Sequence, residues 1–219
     1  MLLIGGPGCA GKSTFALELA SELMRAGASA SVLDLDCYLM ERARRENGAV
    51  VISGYNPAGY LLDEAATDIR SLLAGRSIWV SPYDKLTSKR ARRVRVDPAR
   101  TLIVEGSMAL SDPIYAFGDL SLFLDASEDV LYANRARREF TFGMTREAID
   151  RKFAGLRPDY FKFIAPQRTR GDIVAEIDGD YSFTRVDPGV TSRLSPAWVS
   201  CLQNHGSTAA ESGPLSLTS

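Results

Sequence analysis

Residues 6–13, Gly-Pro-Gly-Cys-Ala-Gly-Lys-Ser, follow the apolar run Leu2-Leu3-Ile4 after one further glycine, Gly5, and lead straight into the helix-like stretch KSTFALELASELMRA. An apolar run this short, stopped by glycine, reads as a buried strand of a parallel sheet. Phe15, Leu19 and Leu23 recur at helical spacing, and Gly27 stops the run as a C-cap does. Three glycines in the connecting loop allow successive backbone N–H groups to turn inward, and the helix N-terminus adds the positive end of its dipole. That combination is an anion cradle for phosphate. Gly6, Gly8, Cys9, Ala10, Gly11, Lys12, Ser13 and Thr14 are therefore expected to hold a nucleotide. Lys12 would reach its terminal phosphates, and the Ser13 hydroxyl would ligate Mg²⁺. A glycine-rich turn of accidental composition is the alternative, and the strand before and helix after the loop argue against it.

The same alternation continues. Strands are expected at 30–36 (ASVLDLD), 77–84 (SIWVSPYD), 100–106 (RTLIVEG), 120–125 (LSLFLD) and 172–177 (DIVAEI). Helices are expected at 60–74, from Ser127 to about Phe142, and over 145–155. Strands alternating with helices predict an α/β fold with a mostly parallel sheet flanked by helices. With 219 residues, 45% of them hydrophobic, the chain is long enough for one such domain over residues 1–203. From Asn204 onward the residues are small and polar, and a disordered tail is expected there. The single histidine, His205, falls in that tail, which disfavours histidine-based catalysis. Formal charge is −1, from 26 Lys+Arg against 27 Asp+Glu, which gives no global reason to expect nucleic acid as partner. Three scattered cysteines imply no disulfide framework, no apolar run approaches a membrane span, and the N-terminus does not read as a signal peptide. A soluble cytoplasmic protein is the expectation.

Phosphate binding alone does not separate kinase, GTPase and motor. The chain lacks an Asn/Thr-Lys-x-Asp base-reading motif and a Ser-Gly-Gly-Gln-like element. A small-molecule kinase needs a carboxylate near the acceptor hydroxyl and a cationic clamp on the transferring group. Asp36, at the end of the second strand, is the candidate base or Mg²⁺ support, with Asp34 the lesser candidate. Glu105, closing TLIVEG, could hold Mg²⁺ through water. Arg135 and Arg138 share a helix face and suit the clamp, with Arg137 and Arg146 nearby, although on pattern alone a solvated charged face is the usual explanation for such a run. The basic stretch 85–96, KLTSKRARRVRV, has little aromatic interleaving. It fits an anionic substrate or a solvated hairpin better than nucleic acid.

The order of these motifs resembles the uridine kinase/phosphoribulokinase family of P-loop kinases over residues 2–178. GGPGCAGKST is similar to that family's opening loop and LDLDCY to its Asp-x-Phe-Tyr segment. SPYDKLTSKR resembles the element framing the acceptor, TLIVEGSMAL the Glu-Gly strand and RARRE the lid's arginine pair. GLRPDYFKFIAPQRTRGDIV resembles the stretch that closes the domain. The resemblance implies a P-loop NTPase fold with a helical lid at about 135–160, ATP with Mg²⁺, Asp36 as catalytic base, and Arg135 and Arg138 on the phosphates. It places Arg168 at the nucleotide, and Tyr38, Tyr55, Tyr83, Asp84 and Arg90 at a small-molecule acceptor. Dimers or tetramers are common in such a family.

Two departures stand out. Ser88 occupies the position of a pyrimidine-reading histidine, and Ala58 that of an acid contacting the ribose diol. The acceptor is thus expected to be a nucleoside, nucleoside-like or sugar-type hydroxyl in a rebuilt pocket. The alternatives are kinases for pantothenate, glycerate or ribulose phosphate (with Arg90, Arg92 and Arg93 as extra cations), a non-catalytic nucleotide-binding regulator, and a nucleic-acid-dependent ATPase.

Overall fold

The computed structural model describes residues 1–46 and 51–188. Its centre is a six-stranded sheet. The strands are β1 (Leu2–Gly5), β2 (Ala30–Asp34), β7 (Thr101–Glu105), β8 (Leu120–Asp125), β9 (Ile173–Ile177) and β10 (Phe183–Pro188). They lie side by side in the order β10-β9-β8-β1-β7-β2. The β1–β7, β1–β8, β2–β7 and β8–β9 pairs are parallel, and β10 alone runs antiparallel, along β9. The expected mostly parallel sheet flanked by helices is therefore what the chain forms.

Successive side chains of a strand point to opposite faces, and here both faces are covered. Ile4, Ile103, Leu122 and Leu124 meet Phe15, Ala16 and Leu19 of α1 (Lys12–Arg25) on one side. Leu3, Val104 and Phe123 meet Ile69 and Leu72 of α3 (Leu62–Leu73) on the other. This double burial explains why β1, β7 and β8 read as continuous apolar runs. A minor α2 (Arg42–Arg45) follows the turn after β2.

Three segments differ from expectation for local reasons. The run 77–84 is not one sheet strand. It breaks at Pro82 into β3 (Ile78–Val80) and β4 (Tyr83–Asp84), which pair antiparallel with β6 (Val94–Val96) and β5 (Lys89–Arg90) outside the main sheet. Proline carries no N–H for a central ladder. The charged helix is longer than expected: α5 runs Arg146–Asp159, passes Pro158, and widens into a π turn at Tyr160–Ile164. A wider turn is a known way to accommodate a disturbed hydrogen-bond ladder. The edge strand β10 is not among the strands expected from sequence. Its Phe183 docks edge-on against Phe15 with ring centroids 5.4 Å apart.

Ser127 caps α4 (Glu128–Thr141) by accepting a hydrogen bond from the Val130 N–H at 3.3 Å, as its position suggests. The segment 135–160 takes in the second half of α4 and all of α5. Residues 204–219, with His205, lie outside the described residues. Among the described residues no helix is long and apolar enough to cross a membrane.

Leu3 is completely buried on the central strand. Leu3→Ala is expected to destabilise the protein by about 2–5 kcal/mol, read as a lower denaturant midpoint at an unchanged slope.

Candidate active site

The parallel register pairs Ile4 with Glu105 and Glu105 with Asp34, so β1, β7 and β2 end at one edge of the sheet. The connections leaving these strands are thereby gathered there: the glycine loop after β1, the Leu35–Tyr38 turn after β2, and Gly106 after β7. Gly6 holds φ +133°, and a Cβ there would lie 2.1 Å from the Leu124 carbonyl oxygen, so only glycine lets the loop leave the sheet this way. Cys9 and Gly11 also take left-handed φ values, which turn the loop back over the start of α1.

A cavity of about 630 Å³ opens over the loop. Gly8, Cys9, Gly11, Lys12, Ser13 and Thr14 line it from below, with Asp36 and Glu105 beside them and Arg135 and Arg138 facing them from α4. Gly6 and Ala10 support the loop from behind, where Ala10 is fully buried. Lys12 donates from Nζ to the Pro7 carbonyl at 2.7 Å. Burial pulls its pKa below the ordinary lysine value, against the opposing pull of Glu105 and Asp36. The Ser13 hydroxyl donates to Glu105 Oε1 at 2.6 Å, and burial raises the Glu105 carboxyl despite Lys12 and that bond.

Asp36 sits on the turn rather than on the strand. Asp34 caps this turn by accepting the Asp36 N–H at 2.7 Å. Asp34 is thus a supporting residue, its carboxyl raised well above the ordinary value first by burial and then by Asp36 and Glu105. Asp36 itself pairs with Lys85 at 3.1 Å and accepts a 3.5 Å contact from the Tyr60 hydroxyl.

Arg135 and Arg138 are held by Glu139, which is 2% exposed. Its carboxylate takes Arg138 at 3.0 Å, Lys152 of α5 at 2.7 Å, and Arg135 at 3.8 Å. Burial pushes the Glu139 carboxyl up, but the bonds from Lys152 and Arg138 outweigh it and hold the group below the usual range. The Nε atoms of both arginines are buried without a partner among the described residues. Both guanidinium groups line the cavity opposite the loop, so an anion held there meets their positive charge.

A Mg²⁺ ion also suits the donor set. No group of three or more His, Cys, Asp or Glu side chains converges among the described residues. The Ser13 hydroxyl and the adjacent Glu105 carboxylate nevertheless offer the hard oxygens that Mg²⁺ takes beside phosphate and water.

The cavity also takes Tyr55 and Tyr83, the latter accepting from Arg45 Nη2 at 3.2 Å. Four residues expected at the site lie elsewhere. Tyr38 is buried with its hydroxyl donating to Asp68 at 2.8 Å, because the turn aims it into the core. Asp84 closes the β4–β5 turn, accepting from Thr87 Oγ1 at 2.7 Å and the Leu86 N–H at 2.9 Å. Arg90 and Arg93 line a separate hollow with Cys37 and Trp79, so the extra-cation reading of that stretch does not reach the loop. Arg168 is paired with Asp125 at 2.9 Å and Glu176 at 3.4 Å, beyond the cavity lining. Conversely, the sequence does not mark out Lys85, Tyr60, Glu139 or Lys152 as site residues. Lys85 lies inside SPYDKLTSKR, but nothing in its spacing signals Asp36, 49 positions earlier. Glu139 lies inside RARRE, four residues after Arg135, and that i,i+4 spacing is the local signal that could have marked it.

The sheet order, the loop and the facing arginines define a P-loop phosphotransferase. Residues 1–181 match the Phosphoribulokinase / Uridine kinase family. A uridine kinase of Leuconostoc citreum is 30% identical over 183 residues, covering 81% of this chain and 87% of that protein. One of Halobacterium salinarum is 30% identical over 177 residues, covering 78% and 77%. In fold, the chain is similar to the phosphoribulokinase from Rhodobacter spheroides, with a TM-score of 0.64 at 17% identity over 88% of this chain and 74% of that one. It is also similar to D-glycerate 3-kinase from Cryptococcus neoformans, with a TM-score of 0.63 at 13% identity over 85% and 88%. The chain belongs to the phosphoribulokinase/uridine kinase family, and it is an ATP-dependent kinase acting on a hydroxyl group.

Glu139 yields a pH prediction. Its folded carboxyl titrates below the unfolded one, so its contribution is complete above the ordinary glutamate range and is lost as pH falls through the folded value. Glu139→Gln is expected to lower stability by about 1–3 kcal/mol at neutral pH. The gap between variant and wild-type urea midpoints should narrow as the pH is taken down below the ordinary glutamate range.

Proposed function

We propose that this protein transfers the γ-phosphoryl group of ATP, with Mg²⁺, to a hydroxyl of a nucleoside, nucleoside-like or sugar-type small molecule. The observation that carries this reading is the convergence of four features on one cavity. They are the glycine loop, a carboxylate on the turn after β2, Glu105 beside Ser13, and two arginines with unpaired buried donors. The names of the relatives support the nucleoside part of the reading, since the two relatives described above are uridine kinases.

The residues divide the task by position. The loop N–H groups and Lys12 bind the phosphate chain. Asp36 orients the acceptor hydroxyl and takes its proton, and Lys85 and Tyr60 fix the direction of that carboxylate. Arg135 and Arg138, braced by Glu139 and Lys152, stabilise charge on the moving phosphoryl group. Ser13 and Glu105 would hold Mg²⁺, which when bound neutralises charge on the phosphate oxygens. α4 and α5 act as the lid, and their closure excludes water, whose attack would waste ATP. Tyr55 and Tyr83 belong to the cavity that takes the acceptor. The replacement of the ribose-contacting acid by Ala58 and of the pyrimidine-reading histidine by Ser88 makes a modified sugar or base the chemistry to screen first.

The test is coupled ADP release with Mg²⁺ and ATP against nucleosides, sugars, sugar phosphates and pantothenate. One acceptor class should stimulate turnover, and Asp36→Asn should lower kcat by about 10²–10⁴-fold while ATP still binds. ATP binding with no stimulation by any compound and no effect of Asp36→Asn would favour a nucleotide-binding regulator. Chelation of Mg²⁺ by EDTA is expected to abolish turnover reversibly, with activity restored by adding the metal back.

A further inference from the structure

Tyr55 does more than line the acceptor cavity. Its side chain is 7% exposed, and its phenol oxygen accepts a hydrogen bond from the backbone N–H of Gly8 at 2.8 Å. The same oxygen accepts from Arg135 Nη2 at 3.2 Å. It is therefore the one side-chain atom in these contacts that bridges the phosphate loop and the arginine clamp. Both contacts use it as an acceptor, so its own O–H is free to donate, and among the described residues it meets no acceptor. The position is built rather than incidental. The Tyr55 N–H donates to Ser53 Oγ at 3.0 Å, and Ser53 Oγ donates to Asp159 at the end of α5 at 2.7 Å. The ring leans on Tyr160 with centroids 6.3 Å apart. A Cβ at Gly8 would lie 3.1 Å from the phenol oxygen and 3.0 Å from Arg135 Nη2, so a side chain there would crowd both groups.

An inward N–H of a glycine loop marks the place where a phosphoryl oxygen comes to rest. Gly8 spends that N–H on Tyr55, and Arg135 reaches the same oxygen from the opposite side. We propose that the Tyr55 hydroxyl is a catalytic hydrogen-bond donor, giving its proton side to a non-bridging oxygen of the phosphoryl group in flight. The inference rests on the kinase reading above and assigns a residue to the transferring group rather than to the acceptor. Two donors into the phenol oxygen polarise the O–H bond and strengthen it as a donor. Burial, opposed by Arg135, raises the phenol's pKa above the ordinary tyrosine value, which keeps that proton in place. Such a donor costs no reorganisation at the moment of transfer, because the ring is already packed and the oxygen already positioned.

Tyr55→Phe in the full chain tests this, since it removes the hydroxyl and keeps the ring. The probes are ADP alone, ADP with aluminium fluoride as a mimic of the phosphoryl group in transfer, and ATP turnover with the acceptor that the panel identifies or, failing one, with water. ADP does not reach the γ position, so its affinity should stay within about twofold and reports that fold and loop are intact. Affinity for the fluoride complex and kcat should both fall by about 10²-fold, with little change in KM for ATP. Undiminished kcat and fluoride-complex affinity beside a normal wild type would overturn the role of Tyr55 alone. So would tighter ATP binding at unchanged kcat, which would show the hydroxyl to be a plug that phosphate displaces. A wild-type chain that turns over no ATP and binds the fluoride complex no tighter than ADP would overturn the kinase reading, and this inference with it.

Discussion

The register of three parallel strands governs everything at this site. Ile4 beside Glu105 and Glu105 beside Asp34 bring the C-terminal ends of β1, β7 and β2 to one level. A slip of one residue would turn every side chain of a strand to the opposite face. Glu105 would then leave Ser13, and the leucines and isoleucines that meet α1 would face α3. The apolar pattern that buries the core and the chemistry at the sheet edge are therefore fixed by the same hydrogen bonds, and neither can change without the other.

On that edge the electrostatics are incomplete. Glu139 is buried and bonded by Arg138 and Lys152, and Asp36 is met by Lys85. Yet Lys12 is desolvated, Arg135 is 5% exposed, and two guanidinium Nε atoms have no acceptor among the described residues. Charged donors left unpaired in a partly dry cavity disfavour the empty site and favour an anion. Glu139 makes this tolerable by holding the arginines in place without neutralising the face they turn to the loop. The short bond between Ser13 and Glu105 plays the matching part on the other wall.

Much of this was legible along the chain. The loop announces itself because a phosphate cradle needs glycines, a lysine and a hydroxyl at fixed local spacing, between a strand and a helix. Ser127 at the start of α4, Gly27 as a helix stop, and the apolar runs of β1, β7 and β8 depend on neighbours a few residues away, and they read correctly. Less legible features involve distant partners. Tyr38 and Tyr55 are both tyrosines near the expected acceptor, but one turns into the core toward Asp68 and the other reaches Gly8. Asp84 looks like a pocket acid and instead closes a hairpin turn. The helix expected over 145–155 runs on past Pro158 to Asp159, with a π turn beyond it. The amphipathic signal of β10 is too weak to stand out, since its place is decided by β9 and by Phe15 across the sheet.

The strand–loop–helix at the N-terminus, the α/β class, the phosphate chemistry and the family follow from the amino-acid order, because each is written in residues close together in the chain. Packing of distant segments settled that Asp36 faces Lys85 and that the Tyr55 hydroxyl stands between loop and clamp. Those contacts join residues 47 or more positions apart in the pairs Asp36–Lys85, Gly8–Tyr55 and Tyr55–Arg135. Local periodicity and propensity carry no information about such pairs. Only the packing of helices on both faces of a registered sheet brings them within hydrogen-bonding distance.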